Sequence, residues 1–346
     1  MKNKKVCDTI YNGGERCFAF PIDEKSNSKY KKEKKMFKIG LSIGALQARY
    51  GDKEALRIAK EIGADAVDFG LEDFNGRYDY RNKDSIYSAP EEKLCEYFSD
   101  LKKYADELGL EISQTHGRGF GFRNIKDEDD ALIENARLDC LVTALLGAPV
   151  CVIHAVTTMF HMDADPQFMR DLNFDMFMRI LPHAKTYGIK IATETFGDVH
   201  GGVCCDFFGN LDEFIASYEQ VCAIGDNKKY FTICMDTGHT NKATKFNGNP
   251  KVPEAIRRLG SDITVLHLND NNTVCDQHLI PFVEKSGQPI NGTIDWDETF
   301  AALKEIGYKG VYNMELHLPR YGEEIMPETG AFAIKVLRNA LAKKIK

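Results

Sequence analysis

The sequence predicts an α/β protein, a single (β/α)8 barrel with an N-terminal extension, and three observations predict it. From Phe37 onward, apolar runs of strand length alternate with longer amphipathic stretches, the pattern of βα units around a parallel sheet. Eight strand-like runs and eight helical stretches follow in turn. The third to the eighth runs all carry a histidine or an acidic residue at or just before their C-terminal end.

Residues 1–35 stand outside this rhythm. They are polar and lysine-rich, end in KSNSKYKKEKK, and carry no period of two or 3.6 residues that could face a core. They read as a solvated arm, with a partner-binding or nucleic-acid arm as the alternative. The barrel then occupies residues 36–346. FKIGLSI is its first strand, KEALRIAKEIG a helix closing at Gly63 as helices often do, and ADAVDFG its second strand. A helix over 91–108 closes at Gly109, EISQTH is the third strand, and a helix over 127–146 precedes Gly147 and the fourth strand, PVCVIHA. KIATET, YFTICMD, ITVLHLN and VYNMELH supply strands five to eight. The accompanying helices fall near 169–187, 211–222, 253–259 and 297–306, and GAFAIKVLRNALAKK makes the last. An open doubly wound sheet is the alternative, but its first strand usually leads into a glycine-rich phosphate turn, and SIGALQARYG is not GxGxxG.

Composition narrows the function. Lysine and arginine number 45 against 52 acidic residues, a net charge of −7, which disfavours a nucleic-acid partner unless positive charge gathers on one face. The ten cysteines form no CxxC pair, and MKNKKVCDTIYNGG lacks the apolar run of a secretory signal, so they read as reduced thiols of a cytoplasmic protein. No stretch approaches the roughly 18 uninterrupted apolar residues needed to cross a bilayer, so no membrane partner is expected.

In a barrel of this kind the chemistry sits at the C-terminal ends of the strands. Those ends carry His116, His154, Glu194, Asp236, His267 and Glu315. Any one histidine alone reads better as a satisfied core or surface residue. Six groups on consecutive strands read otherwise, because unpaired carboxylates converging on one mouth need compensation, and a metal ion supplies it. Imidazole with carboxylate suits manganese, zinc, cobalt or iron(II), calcium would favour oxygen ligands alone, and the absence of cysteine from the set argues against a structural zinc cluster. DTGH places His239 three residues after Asp236, and DQH places Asp276 two before His278; both spacings let two ligands approach one ion.

The ordered series HLND at 267–270, DQHLIP at 276–281, GTIDW at 292–296, GYKG at 307–310 and NMELH at 313–317 resembles the xylose-isomerase-like TIM barrels. That superfamily includes sugar-phosphate isomerases and epimerases, ketose 3-epimerases, inosose dehydratase and the apurinic endonucleases. The resemblance runs from about residue 37 to the C-terminus. It implies one divalent metal, magnesium included among the candidates, held by Glu194, Asp236, His267 and Glu315, with Glu194 and Glu315 also acting as paired acid and base. The endonuclease branch implies three zinc ions and further ligands at His116, His154, His239, Asp276 and His278. His200 and His239 are candidate substrate contacts. One departure stands out: where the family has a short PGxG turn, this chain reads LIPFVEKSGQPINGTIDW, several residues longer, which leaves open where Asp276 and His278 lie relative to the metal.

The chemistry implied is metal-assisted proton abstraction from a carbohydrate, whether sugar, polyol or sugar phosphate, through an enediolate; epimerase, isomerase and dehydratase or lyase outcomes share this step. The alternatives are a zinc-cluster phosphodiesterase acting on DNA and a subunit that needs a partner protein; a homo-oligomer is compatible with all of them. The aromatic and basic segment RYDYRNK at 77–83 is the one stretch that could track DNA, against its reading as a loop over the barrel mouth. For the arm, deletion of residues 1–35 should change the melting temperature by less than about 4 °C, because a polar lysine-rich segment buries little apolar surface. A calorimetric scan showing a larger fall would mean that Cys7, Cys17, Phe18 and Phe20 pack on the barrel.

Overall fold

The computed structural model describes residues 37–72, 76–199, 202–246, 248–282 and 293–344; the lysine-rich segment 1–35 lies outside them. Eight parallel strands follow in chain order, β1 Ile39–Ser42, β2 Ala66–Gly70, β3 Glu111–His116, β4 Val150–Ile153, β5 Lys190–Glu194, β6 Phe231–Asp236, β7 Ile263–His267 and β8 Tyr312–Met314. β8 pairs with β1 in the register Ile39 to Tyr312, Gly40 to Asn313 and Leu41 to Met314. Between β7 and β8 the Leu268 amide donates to the Asn313 carbonyl at 2.8 Å and the Glu315 amide to the Leu268 carbonyl at 3.3 Å. These bonds join the two ends of the sheet, and the predicted barrel is the fold observed.

Around it lie α1 Gly44–Tyr50, α2 Asp52–Glu61, α3 Glu91–Leu108, α4 Lys126–Leu145, α5 Pro166–Tyr187, α6 Leu211–Cys222, α7 Thr237–Ala243, α8 Val252–Leu259, α9 Trp296–Glu305 and α10 Met326–Lys344. Eight of these are the expected helices. α1 and α7, of seven residues each, were not expected, because two turns are too few for a 3.6-residue period to show. α7 owes its start to Asp236, whose Oδ1 accepts the His239 amide at 2.6 Å. α5 begins three residues before its expected start, where Asp165 caps the amide of Phe168 at 3.0 Å and Pro166 occupies the first turn. Among the described residues no helix is long and apolar enough to cross a membrane.

Successive side chains on a strand point to opposite faces, and this alternation divides the core in two. Val150, Val152, Ala192, Cys234 and Val265 form a small apolar layer inside the barrel. Cys151, Ile153, Ile191, Ile233, Met235 and Leu266, their sequence neighbours, pack outward into the main core under the helices. Counting two residues on along the inward set reaches His154, Glu194, Asp236 and His267. The strand ends converge because they share the parity of the inner layer.

One buried carboxylate fixes the loop that follows β7. Asp270 accepts the amides of Asn271, Thr293 and Ile294 at 2.8, 3.0 and 3.3 Å on Oδ1, and the indole of Trp296 at 2.8 Å on Oδ2. Its own amide and carbonyl pair with Leu279. The motifs HLND, DQHL and TIDW are therefore three strands of one knot. Asp270→Ala leaves the buried donors of Asn271, Ile294 and Trp296 without an acceptor and should cost about 3 kcal/mol or more in urea unfolding. Trp296 is the chain's single tryptophan, so a shift of its emission should accompany the loss; an unchanged spectrum and midpoint would refute the knot.

Candidate active site

The mouth of the barrel gathers nearly every residue the sequence singled out. Glu194, Asp236 and His267 are fully buried at the ends of β5, β6 and β7, and Glu315 follows β8. One ligand atom from each of these four lies within 4.8 Å of the others. His116, the last residue of β3, and His154, just after β4, bring their Nε2 atoms to 3.6 and 3.2 Å from Glu194 Oε2. His239, on α7, places Nδ1 3.1 Å from Glu194 Oε1. Despite the lengthened loop, Asp276 and His278 reach the same place: Asp276 Oδ2 stands 3.2 Å from Nε2 of both His239 and His278. His200 lies outside the described residues.

The fit to a cation rests on what these groups lack. Among the described residues, neither oxygen of Glu194, nor Nδ1 of His267, nor Oε2 of Glu315 has a hydrogen-bond partner, although all are buried. His267 Nε2 is 2.9 Å from Asp68 Oδ2, which holds a proton on that nitrogen. Its Nδ1 is left facing Glu194 Oε2 at 3.1 Å and Glu315 Oε2 at 3.4 Å. A lone pair and two carboxylate oxygens so placed repel one another unless a cation or a proton lies among them. An imidazole oriented through its far nitrogen by a carboxylate is the usual support of a metal-ligating histidine. Asp236 is also held, its Oδ2 accepting from Asn269 Nδ2 at 2.8 Å. A Cβ at position 238 would fall 1.8 Å from Asn269 Oδ1, so the G of DTGH leaves room for that support.

Two cavities open on this face, of about 350 and 410 Å³, and share Glu72, His116, His278 and Glu315. Glu315 lines both, whereas Glu194 sits beneath them. The smaller runs toward Phe196 and Lys242, the larger toward Arg77 and His317. A model of the xylose isomerase-like TIM barrel family matches residues 56–338. The chain belongs to that family.

Relatives within it are distant. An uncharacterised protein of Methanocaldococcus jannaschii is 33% identical over 148 residues, 42% of this chain and 43% of that protein. The inosose isomerase of Bacillus subtilis is 27% identical over 150 residues, 42% of this chain and 47% of the isomerase. The matches span about half the length of the curated relatives. Among solved structures, a D-tagatose 3-epimerase-like protein superposes with a TM-score of 0.65 at 22% identity, covering 90% of this chain and all of that one. The IolI protein with a bound zinc atom gives 0.62 at 19%, covering 89% and 99%. At these identities the likeness establishes the fold.

Seen as a xylose isomerase-like barrel, the site holds residues that the strand-end pattern missed. Asp68 on β2 and Gln114 on β3 both reach His267 Nε2, at 2.9 and 3.0 Å, and Glu72 Oε2 lies 3.5 Å from His116 Nδ1. ADAVDFG already carried Asp68 at an inward position, the signal that could have found it. Cys234, absent from the expected ligands, lies with Glu194 and His267 at the floor of the site. Burial pushes its thiol up, so it stands there as a neutral thiol. The segment 77–83 is a mouth loop: Tyr78 is 2% exposed with its hydroxyl on Asp52, Arg81 is paired with Asp79 at 2.8 Å, and Arg77 lines the larger cavity.

The charges of the family site are mutually dependent. Burial opposes the charge on His116, but Glu194, Glu72 and Glu315 outweigh it and push its pKa up to about 10. His278 is likewise disfavoured by burial and raised by Glu315 and Asp276 to about 9. Burial lifts Asp236 to about 6 against the pull of His239, whereas His267 and His154 hold Glu194 well below the usual carboxylate range despite its burial. In the metal-free protein both His116 and His278 are therefore cations at pH 7. Imidazole ¹⁵N shifts followed against pH should put the midpoint of His278 near 9; a midpoint at or below 6.5 would contradict this electrostatic picture.

Proposed function

We propose that this barrel is a metal-dependent sugar isomerase or epimerase. The observation carrying that reading is the meeting of unpartnered buried atoms of Glu194, His267 and Glu315, together with Asp236, at the floor of a cavity large enough for a sugar. These four side chains would hold one divalent ion, with manganese, zinc, cobalt and magnesium as candidates. When bound, such an ion supplies Lewis acidity that stabilises charge on a substrate carbonyl oxygen and acidifies the adjoining C–H bond. Glu315, the carboxylate that lines both cavities, takes the proton through its carboxylate oxygen; Glu194, fully buried within the same quartet, serves as its partner. His239 and His116 line the cavity as hydrogen-bonding groups for hydroxyls. Similar folds carrying the names D-tagatose 3-epimerase-like protein and D-psicose 3-epimerase, and the distant inosose isomerase, support a carbohydrate substrate.

A zinc-cluster phosphodiesterase is the second reading, favoured by the two further trios His116, His154, Glu194 and His239, Asp276, His278. Against it stand the acidic balance and the loop 77–83, whose Arg81 is occupied by Asp79. Solvent deuterium uptake into sugars, polyols and their phosphates by metal-loaded protein reports the shared proton step. Glu315→Gln keeps an oxygen for the ion and removes the titrating group, so it should retain much of the metal by elemental analysis and lose exchange by about 10²–10⁴. Incision of abasic DNA at low nanomolar enzyme, abolished by neutralising Arg77 and Arg81 together, would replace this function with the nuclease.

A further inference from the structure

Lys242 has no part in the chemistry above, yet it is buried in the wall of the smaller cavity, its side chain 9% exposed. It stands on α7 three residues after His239, so the two share a face of that helix, about one turn or 5.4 Å apart along the axis at most. Its ammonium is 2.5 Å from Oδ1 of Asp198, whose side chain is 1% exposed. Oδ2 of the same carboxylate is taken by Lys245, which also donates to the Thr273 carbonyl at 3.0 Å. One carboxylate thus answers two ammonium groups, and a net positive charge remains in the wall.

The other charged groups lining that cavity are answered in kind. Asp276 meets His239 and His278, Glu72 faces His116, and Glu315 faces His267 and His278. Asp198 takes one of the three protons an ammonium donates, and no other partner of Lys242 is found among the described residues. An ammonium in a cavity wall that also includes Phe196 and Val199, with donors to spare and its counter-charge shared, is costly unless an anion completes it.

We propose that Lys242 recognises an anionic oxygen group, a phosphate or a carboxylate, on the end of the sugar remote from Glu194 and Glu315. The substrate class is then a phosphorylated sugar or a sugar acid rather than a neutral sugar. This rests on the sugar isomerase or epimerase reading, and a pentose or hexose is long enough to span from the metal-ligand quartet to a point one helical turn beyond His239. Lys245 keeps Asp198 from quenching the charge of Lys242.

The test compares deuterium exchange by the metal-loaded full chain into D-fructose, D-fructose 6-phosphate and D-fructuronate. We expect kcat/KM for at least one anionic sugar to exceed that for D-fructose by about tenfold or more, the effect residing in KM, since a hydrogen bond to a charged group is worth about that factor. Preference confined to the phosphate or to the uronate identifies the group. Lys242→Met should bring the anionic-to-neutral ratio to near one, and Lys245→Met should lower it as well, because Asp198 then neutralises Lys242; the second variant serves if the first does not fold. The ratio is insensitive to a general loss of active protein. A neutral sugar preferred by the wild type, or a preference that survives Lys242→Met, overturns this inference and leaves the isomerase reading standing. No exchange into any sugar, neutral or anionic, overturns both.

Discussion

Glu194 is a fully enclosed carboxylate whose two oxygens have no well-aligned hydrogen-bond donor among the described residues, and the mouth of the barrel is built around that deficit. A bare carboxylate in such surroundings costs several kcal/mol unless positive charge approaches it. Four imidazoles, those of His116, His154, His239 and His267, come within 3.6 Å of it. Each arrives from a different element, and three of them are held at the far ring nitrogen by a carboxylate: Asp68 for His267, Glu72 for His116 and Asp276 for His239. Their restraint is what turns a charge deficit into a shaped socket.

The socket could not form without the two-residue alternation of the strands. Moving β5 or β7 by one residue would turn Glu194 or His267 out under the helices and bring a threonine or a leucine into the mouth. The apolar layer of Val150, Val152, Ala192, Cys234 and Val265 sets the parity, so a packing requirement low in the barrel decides which side chains meet at its top. Stability and chemistry are thus written on the same set of alternate positions, one below the other.

That economy explains how much could be read from the sequence. Strand ends are marked by a change from β-branched and apolar residues to His, Asp or Glu, and such changes at His116, His154, Glu194, Asp236, His267 and Glu315 were visible at once. Glu72 and Asp276 were harder, one unmarked and the other a weak loop motif, because loop residues acquire meaning only from where the chain carries them. Asp68 was hidden differently: it lies inside a strand rather than at an apparent end, and its role as a proton acceptor for His267 depends on a strand 199 residues away. Short helices such as α1 and α7 left no periodic trace, and the two-residue ribbon of Asp198–Val199 and Cys204–Cys205 is below the length at which alternation can be recognised.

Asp270 carries a different lesson. By gripping the backbone at 271, 293 and 294 and the ring of Trp296, it pins both ends of the segment that follows β7. The entropy of closing a loop grows only with the logarithm of its length, so chain inserted between two pinned ends adds little strain to the fold. Insertions between Leu279, which pairs with Asp270, and Thr293 need not shift either pinned end. The barrel thus possesses, in one buried carboxylate, an anchor point for evolutionary diversification beside its metal-competent floor.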